Sequence, residues 1–355
     1  MDHQSTTGSA STSALSDYLP RKIRSINFLK SKAPKKRNKE FQSEKLKSRR
    51  REVMLQRPEH QVAGHEAGSG TLGPLIDGSG NFYKPLNPGD ERGAHELAFY
   101  TSFYSDTRVP HSIRSSFFPS FGGTRILPVP DSPDLLLPHL VLGDLLHAYT
   151  YPCVMDVKMG ARTWYPSASE KDFEKYWKKD VESTTPLLGF RISGLQVYHE
   201  SGRWKPHRDG VRKYTVTDVR QSLRQFVSKK PDETPPDCAL ASSVYGGSNG
   251  ILAQLLELKS WFEDQTLFHF YSTSLLIAYD KGGKAAQVKL IDFAHVMKGE
   301  GIIDHNFLGG LCSLIKWVSE ILTDFEPAVG LTDPKAAAGP AEPEATVGPT
   351  ENETH

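Results

Sequence analysis

The sequence predicts an α+β fold, and two observations support that prediction. Segments with helical spacing and segments with strand alternation follow one another along the middle of the chain, but not in a regular strand–helix–strand order. A regular order would indicate a parallel sheet with crossover helices, so the irregular order favours antiparallel sheet and helices. The length of 355 residues and the charged fraction of 24% are typical of a globular protein with additional polar sequence.

The folded part is predicted to span residues 55–325, between two polar flanks. Residues 1–54 form a basic arm in which 21–51 hold 14 Lys and Arg against 2 Glu. Residues 326–355 form an acidic tail rich in Pro, Ala, Glu and Thr. Both flanks are predicted to be disordered, because so little apolar surface cannot offset the entropy lost on ordering.

The elements of the folded part follow from turn residues and periodicity. Asp77-Gly78 and Gly80, between alternating apolar and polar residues, predict a hairpin. Apolar residues at helical spacing predict the helices, and short apolar runs bounded by turn residues predict the strands. In chain order these are a helix at 93–104, strands at 140–142 and 153–159, helices at 167–180, 212–227 and 249–264, strands at 269–280 and 285–295, and a last helix at 308–322.

Composition excludes several classes of protein. The longest apolar run, LLLPHLVLGDLL, is interrupted by Pro138, His139 and Asp144, so no membrane span is predicted. The first residues lack the basic and apolar regions of a secretory signal, and the 3 cysteines lack the spacing of a disulfide framework or zinc site. We expect a reducing compartment. The basic clusters KAPKKRNK and KLKSRRR favour the nucleus, with some protein in the cytoplasm.

The stretch PCVMDVKMG, residues 152–160, places two charged residues in an apolar strand. Alternate side chains of a strand share a face, so Asp156 and Lys158 should point the same way. A carboxylate and an ammonium on one face suit phosphoryl transfer, because the first can accept the proton of an attacking hydroxyl and the second can neutralise phosphate charge. The same alternation also describes an antiparallel strand with one solvated face.

A second candidate is Asp292, which follows an apolar run in VKLIDFAH, residues 288–295. A carboxylate at a strand end is where many phosphotransferases hold Mg²⁺ between nucleotide phosphates, and the sequence resembles the Asp-Phe-Gly of protein kinases. An aspartate in this position is also a common turn former or helix cap.

A third candidate is Lys84, on the second strand of the predicted hairpin. Glu96 follows early in the next helix and could pair with the Lys84 ammonium, aiming it at ATP phosphates. The alternative is an ordinary surface lysine.

The helix predicted at 167–180 carries a lysine stripe, with Ser167 or Ser169 as its N-cap. Four lysines fall within about 100° of helical arc: Lys171, Lys175, Lys178 and Lys179. Such a stripe could receive a multiply phosphorylated ligand, or could be the solvated face of a mixed-charge helix. Taken together, the four candidates predict a kinase for a small phosphorylated molecule.

Three motifs, in the same order, resemble the inositol polyphosphate kinase family. PCVMDVKMG matches its Pro-x-x-x-Asp-x-Lys-x-Gly signature, and STSLL (272–276) and IDFAH (291–295) resemble its two downstream motifs. The resemblance covers about residues 55–325. Within the family, EHQVAGH, SVYGGSNGILAQLLELKSWF and IDHNFLGGLCS are similar to the plant multikinase branch.

The resemblance implies a two-lobed kinase-like fold with a cleft like that of protein kinases or ATP-grasp enzymes, and a short inserted inositol-binding helical segment at about 163–190. It implies a catalytic pair, Asp156 and Lys158, with Asp292 also holding Mg²⁺ or Mn²⁺. The ATP-binding residues it implies are Lys84, Glu96, Leu142, Asp144, Leu145 and Asp292. The substrate-binding residues it implies are Arg162, Lys175, Lys179 and His295.

The same resemblance implies an ATP-dependent kinase whose partners are ATP and inositol polyphosphates. The inserted segment looks short, which implies an open site and sequential conversion of inositol 1,4,5-trisphosphate to tetrakis- and pentakisphosphate at the 3- and 6-positions. Two alternatives stay open: a single-step trisphosphate 3-kinase, and a nuclear scaffold or transcriptional co-regulator. Nuclear proteins are expected as further partners through the basic arm, and nucleic acid is not required.

Overall fold

The computed structural model describes residues 54–63, 72–130, 132–230 and 237–325. Apart from residue 54, the flanks predicted to be disordered, 1–54 and 326–355, lie outside the described residues. In the described part of the chain, no helix combines the length and the apolar character that a membrane span requires.

The strands pair exclusively in antiparallel fashion wherever the structure describes them. They are β1 (Leu75–Ile76), β2 (Asn81–Pro85), β3 (Phe121–Val129), β4 (Ser132–Gly143), β5 (Pro152–Met159), β6 (Phe190–His199), β7 (Gly202–Trp204), β8 (Phe268–Phe270), β9 (Ser274–Asp280), β10 (Lys284–Ile291) and β11 (Val296–Lys298).

The helices lie between and after these strands rather than alternating with them. They are α1 (Glu91–Ser105), α2 (His111–Phe117), α3 (Glu170–Val181), α4 (Thr185–Leu188), α5 (Arg208–Val211), α6 (Val216–Phe226), α7 (Cys238–Val244), α8 (Ile251–Asp264) and α9 (His305–Phe325).

The strands form two main sheets and a small one. The first has the order β1-β2-β4-β3 and belongs to the N-terminal lobe. The second has the order β10-β9-β5-β6-β7, and β8 pairs separately with β11. The strand that carries the PCVMDVKMG signature, β5, is therefore central in the larger sheet, and the chain enters it directly from β4 through residues 144–151.

The two faces of β5 meet different surroundings. Cys153, Met155 and Val157 belong to the main hydrophobic core, whereas Val154 belongs to a separate small cluster on the opposite face. Both faces are buried, so the solvated-face alternative for this strand is wrong. The reason is the position of β5 between β6 and β9, with packing on either side, which alternation alone does not reveal.

An aromatic cluster joins the helix α1 to the C-terminal half of the chain. Phe99 stacks on Phe293 with ring centroids 4.4 Å apart, and Phe118 stacks on the same ring at 5.4 Å. Phe103 and Phe270 belong to the same buried core. Because Phe293 directly follows Asp292, this cluster fixes the end of β10 against the first lobe.

Most predicted elements are confirmed. The hairpin is β1–β2, the helices α1, α3, α8 and α9 lie within three residues of their predicted bounds, and the strand 153–159 is β5. The helix predicted at 212–227 begins later, as α6, because Thr215 and Asp218 form a capping box that fixes its start.

Three strand predictions differ from the structure. The strand expected at 140–142 is the end of the longer β4, and the strand expected at 269–280 is broken into β8 and β9. The break includes Ser272, whose backbone φ of 52° is left-handed and cannot continue a strand. The strand expected at 285–295 stops at Ile291, because Asp292 has a φ of 66°. The elements β3, β6, β7, β11, α2, α4, α5 and α7 were not predicted.

Candidate active site

Asp156 and Lys158 lie on the central strand β5 and share one face, as predicted. Asp156 pairs in register with Gly194 of β6 and Leu276 of β9. Asp156 is 3% exposed and the Lys158 side chain is 15% exposed. No ion pair joins the two side chains among the described residues, so each is available for a separate contact.

Asp292 lies at the end of β10 and bridges two lysines. Its Oδ1 accepts from Lys84 Nζ at 2.9 Å, and its Oδ2 accepts from Lys158 Nζ at 3.1 Å. The left-handed backbone at Asp292 is uncommon for a residue other than glycine and costs free energy, which is a frequent feature of functional sites. The turn aims the carboxylate back toward β5 and β2.

Lys84 pairs with Glu96, as the sequence predicted. Lys84 is the fourth residue of β2, and its Nζ lies 2.7 Å from Glu96 Oε2 on α1. Glu96 is buried, and its Oε1 also accepts from the backbone N–H of Phe293 at 3.4 Å. Glu96 therefore connects the lysine of one lobe to the residue that follows Asp292.

The charges of this cluster stabilise one another. Burial alone would favour neutral Asp292, but the two neighbouring ammonium groups outweigh it and hold the pKa of Asp292 well below its ordinary value. Burial likewise opposes charge on Lys84, yet Asp292 and Glu96 raise the pKa of Lys84 above that of a free lysine. Asp292 and Lys84 are therefore both charged at neutral pH.

Lys158 has a second partner that the sequence did not indicate. Its Nζ donates to the backbone carbonyl of Ser272 at 2.7 Å. The Ser272 hydroxyl donates to the Thr163 carbonyl at 3.0 Å, which links this turn to the start of the 163–190 segment. The STSLL motif was noted in the sequence, but which atom of it would face Lys158 depends on the left-handed turn.

Asp156 differs from Asp292 in having an unpaired oxygen. Its Oδ1 is buried and has no hydrogen-bond partner among the described residues. Burial raises the pKa of Asp156, and the positive charge of Lys158 and the nearby Ser274 hydroxyl partly oppose that shift. A buried carboxylate with a free acceptor and a raised pKa has the properties of a general base.

Three of the residues predicted to bind ATP, Leu142, Asp144 and Leu145, lie where β4 leads into the second sheet. The Asp144 N–H donates to the Gly80 carbonyl at 2.9 Å, and the Leu145 carbonyl accepts from Gln287 Nε2 at 2.6 Å. Leu142 is buried in the core. These contacts tie residues 144–151 to both sheets, and we call this connection the hinge.

Gly143 is the last residue of β4, directly before this connection. A Cβ on Gly143 would lie 2.6 Å from Ser120 Oγ, so any side chain there requires Ser120 to move. The hydrogen bond from the Gly143 N–H to the Ser120 carbonyl, at 2.9 Å, holds the two segments together.

The predicted lysine helix is α3, and Ser169 is its N-cap, accepting from the Asp172 N–H at 3.2 Å. The helix is anchored by Asp180, which accepts from the Thr163 N–H and hydroxyl, both at 2.7 Å. Arg191 of β6 completes this buried anchor at 2.8 Å from Asp180 Oδ1. The anchor fixes how α3 presents its lysines to the cleft.

Lys175 and Lys179 lie over the ring of Tyr176, with their Nζ atoms 5.5 and 5.9 Å from its centroid. Among the described residues, the other two lysines of the predicted stripe make no such contact with an aromatic ring. Lys178 pairs with Glu182 at 3.9 Å and its side chain is 71% exposed, and Lys171 is exposed.

Lys179 lies in a field of positive charge. Partial burial is the largest cause that lowers its pKa, to about 8, followed by the nearby charges of Lys175, Arg212, Arg191 and Arg208. Sequence reasoning missed Arg208 and Arg212. The only signal was the basic stretch HRDGVRK, and the folding of α5 against β6 brings it to α3.

His295 joins α3 to the end of β10. Its Nε2 is hydrogen-bonded to the Tyr176 hydroxyl at 2.8 Å, and its ring stacks on Tyr165 with centroids 4.6 Å apart. Burial lowers the pKa of His295 to about 4, so the ring is neutral at physiological pH. His295 can therefore orient a ligand by hydrogen bonding but adds no charge.

Arg162, three residues after the end of β5, is held by aromatic rings. Its guanidinium lies 4.4 Å from the Trp164 ring centroid and 5.7 Å from that of Tyr271. Its backbone exchanges two hydrogen bonds of 3.1 Å with the Asn306 side chain. The predicted substrate-binding residues thus share the region bounded by α3 and the ends of β5 and β10.

A divalent metal ion at this site would be bound mainly by the phosphates of the nucleotide rather than by protein side chains. The described residues contain no group of three or more His, Cys, Asp or Glu side chains arranged to hold a metal ion. Asp292 offers a carboxylate whose side chain is 36% exposed, whereas Asp156 and Glu96 are buried. This donor set fits Mg²⁺ or Mn²⁺, because such ions are commonly bound by one or two carboxylates together with nucleotide phosphates.

Known proteins resemble this chain over most of the described residues. The sequence profile described as "Inositol polyphosphate kinase" matches residues 139–319. Inositol polyphosphate multikinase beta of Arabidopsis thaliana is 52% identical over 289 residues, which cover 77% of this chain and 95% of the relative. Inositol polyphosphate multikinase IPK2 of Oryza sativa subsp. indica is 52% identical over 283 residues, 76% of this chain and 95% of the relative.

Solved structures agree with these sequence relatives. An inositol phosphate multikinase structure with 51% identity superposes with a TM-score of 0.57, covering 64% of this chain and 99% of that chain. Ipk2 from S. cerevisiae, solved with ADP and Mn²⁺, has 21% identity and a TM-score of 0.52, covering 68% and 99%. The predicted α+β kinase-like fold is confirmed, and the chain belongs to the inositol polyphosphate kinase family.

Proposed function

We propose that this protein transfers the γ-phosphoryl group of ATP to ring hydroxyls of soluble inositol polyphosphates. The observation that carries the proposal is Asp292, a carboxylate bridging Lys84 and Lys158 beside the buried, unpaired Oδ1 of Asp156. Family membership and the ADP and Mn²⁺ bound to the yeast relative support the nucleotide and the metal.

The residues of the centre divide the reaction among them. Lys84 and Lys158 bind the transferring phosphates, which replace the Asp292 oxygens as their partners. Glu96 keeps the Lys84 ammonium in place from the other side. Bound by Asp292 and the nucleotide, Mg²⁺ or Mn²⁺ supplies positive charge to the β- and γ-phosphates.

Asp156 acts as the general base. It accepts the proton of the attacking ring hydroxyl as the new oxygen–phosphorus bond forms, and burial raises its proton affinity for that purpose. Lys158 lies two residues away on the same face and stabilises the charge that develops on the phosphoryl group.

The cationic region beside α3 binds the phosphates of the substrate. It consists of Arg162, Lys175, Lys179, Arg208 and Arg212, with His295 as a neutral hydrogen-bonding contact. An acceptor with several phosphates suits this surface, because charge-assisted hydrogen bonds to phosphate are strong and the cluster of like charges is relieved by an anion.

The order of phosphorylation is part of the proposal. The inserted 163–190 segment holds α3, with 12 residues, and the single turn α4, and we infer that this short segment leaves room for the inositol ring to bind in more than one orientation. The protein then converts inositol 1,4,5-trisphosphate to tetrakis- and pentakisphosphate at the 3- and 6-positions.

The test is incubation with inositol 1,4,5-trisphosphate, Mg²⁺ and ATP, with the products identified by chromatography. We expect a tetrakisphosphate that appears first and a pentakisphosphate that replaces it. Accumulation of tetrakisphosphate without pentakisphosphate would instead support a single-step 3-kinase. Asp156→Asn is the matched inactive control. Failure of the unchanged protein to phosphorylate the trisphosphate, or product formation by Asp156→Asn at the normal rate, would contradict the proposal.

We also propose nuclear localisation through the basic arm, with some protein in the cytoplasm and nuclear proteins as further partners. The 14 Lys and Arg of residues 21–51 support this, since such clusters suit nuclear import. Deleting residues 1–54 tests it. A fluorescent fusion should lose its nuclear enrichment while the kinase keeps its turnover, whereas an unchanged distribution would contradict the import role.

A further inference from the structure

A short N-terminal segment, residues 54–63, joins the two main sheets, and we call it the strap. At its start, Gln56 exchanges two backbone hydrogen bonds with Ile76 of β1, at 2.9 and 2.8 Å. Near its end, Val62 is buried against Val154 and Ala278 of the larger sheet. The strap therefore connects the lobes by a second route besides the hinge after β4.

The strap lies on the face of the sheet that carries Asp156. Gly194 is the residue of β6 in register with Asp156, and residues opposite each other in an antiparallel pair point to the same face. A Cβ on Gly194 would lie 2.0 Å from the Val62 carbonyl oxygen. The strap backbone thus occupies the space beside the Asp156 side chain, and only glycine at 194 allows this approach.

Side-chain contacts hold the strap in that position. Gln196 is opposite Val154 on the same face, and its Nε2 lies 3.1 Å from His60 Nδ1 and 2.9 Å from the Pro152 carbonyl. At the outer edge, Lys205 Nζ donates to the Gln61 carbonyl at 2.7 Å. A segment anchored at both ends and along its length is placed to cover the surface beneath it.

We propose that the strap seals Asp156 from water, so that the only hydroxyl the base can deprotonate is that of the bound acceptor. Asp156 is 3% exposed and its Oδ1 has no partner among the described residues, so a water molecule admitted there would meet a free acceptor. Val62 and Gly194 are positioning residues in this role. The inference rests on the proposed function of Asp156 as base.

Loss of the seal would lead to hydrolysis of ATP. A water oxygen forms a bond to the γ-phosphorus, the bond between that phosphorus and the terminal oxygen of ADP breaks, and Asp156 accepts a proton of the water. The products are ADP and inorganic phosphate, and the proton passes from Asp156 to solvent. The reaction needs no component besides ATP, its metal and water.

The first test is Gly194→Ala, which forces the Val62 backbone away from the sheet. We expect ADP release without any inositol phosphate to rise at least about tenfold, because general-base assistance to a nucleophile is worth about 10²–10⁴ when complete. With the acceptor present, the ratio of ADP to phosphorylated inositol should exceed one. Gly309→Ala is the matched control, since a Cβ there would meet no heavy atom within 4 Å.

The second test is Val62→Ala, which keeps the strap backbone and remains informative if Gly194→Ala does not fold. We expect the ratio of ADP to phosphorylated inositol to rise in this variant too, but less than in Gly194→Ala. Val109→Ala is its control, because Val109 is equally apolar and buried but belongs to the main core. A thermal melt shows whether each variant is folded. A ratio of ADP to phosphorylated inositol of one in the folded variants at both positions would overturn the proposal.

Asp156→Asn separates this inference from the proposed function. If Asp156 is the base, this change removes both kinase turnover and the hydrolysis released by Gly194→Ala. Normal kinase turnover in Asp156→Asn would show that Asp156 is not the general base, and the strap would then have no base to protect from water. If Asp156→Asn is inactive but the folded strap variants still release one ADP per phosphorylated inositol, the base is supported and only the proposed seal is contradicted.

Discussion

The phosphoryl-transfer centre and the cationic region beside α3 are two charged regions built in opposite ways. In the phosphoryl-transfer centre, Lys84 and Lys158 are both paired with Asp292, at 2.9 and 3.1 Å. In the region beside α3, Lys179 is surrounded by positive charges, including Lys175 and Arg212, which help to lower its pKa to about 8.

The difference shows two uses of charge. In the centre, opposite charges fix one another's positions, so the groups that act on the reacting atoms are preorganised before a ligand binds. Beside α3, like charges raise the free energy of the unliganded protein and are relieved when a polyanion binds. The first arrangement positions the groups that act on the transferring phosphate, and the second increases the affinity for the phosphorylated acceptor.

The largest effect is expected at the carboxylate of the centre. Asp292→Asn keeps the size of the side chain and tolerates the left-handed backbone, but removes the charge between Lys84 and Lys158. We expect kcat to fall by about a thousandfold, as when a key electrostatic group of a transition state is removed. Steady-state kinetics measure this, and near-normal turnover in a variant with an unchanged thermal melt would contradict the role of Asp292.

The next effect concerns the region beside α3. Lys175→Ala combined with Lys179→Ala should raise KM for inositol 1,4,5-trisphosphate about tenfold or more, since hydrogen bonds between charged groups contribute roughly 1.5–3 kcal/mol each. KM for ATP should stay within about twofold, since the changes leave the centre intact. Equal rises in both constants would show that the two regions are not separate.

A pH dependence follows from the lowered pKa of Lys179. With a pKa of about 8, this lysine is charged below that pH and loses its proton as the pH rises through it. KM for inositol phosphate should therefore increase between about pH 7 and 9, whereas Lys179→Arg, which stays charged, should flatten the increase. Initial rates at several pH values test this. The same rise in Lys179→Arg would assign the titration to another group.

The smallest effect is expected on the outer side of α3. Lys178 is 71% exposed and pairs with Glu182 at 3.9 Å, and exposed ion pairs contribute little. Lys178→Ala should change either KM by less than about twofold. This variant is also the control for the double change at Lys175 and Lys179, because it removes a positive charge from the same helix. A tenfold rise would extend the binding surface around α3.

Local sequence predicted the contacts that depend on short distances along the chain. The Lys84–Glu96 pair follows from a strand and a helix joined by a short turn, and Ser169 caps α3 because serine and aspartate stand at the positions a cap requires. The apolar run before Asp292 also suggested a carboxylate at a strand end, although the predicted strand extended to residue 295 and the real one stops at Ile291. Periodicity and turn chemistry carry this information within one element or two neighbours.

The remaining features depend on segments far apart in the chain. The two faces of β5 are both buried because β6 and β9 flank it, and the strap covers the face of Asp156 because Gly194 lies opposite. Arg208 and Arg212 reach α3 only through the packing of α5 on β6. The spacing of residues along the sequence does not predict contacts between segments that are so far apart.

The sequence by itself determined the residue types of the reaction, the order of the motifs and most of the elements that carry them. The tertiary structure decided which side chains are paired and which are free: Asp292 with two lysines, Lys158 with the Ser272 carbonyl, and Asp156 with an unpaired oxygen. The physical reason is that strand alternation fixes the face of a residue, whereas burial and charge pairing on that face depend on the elements that pack against it.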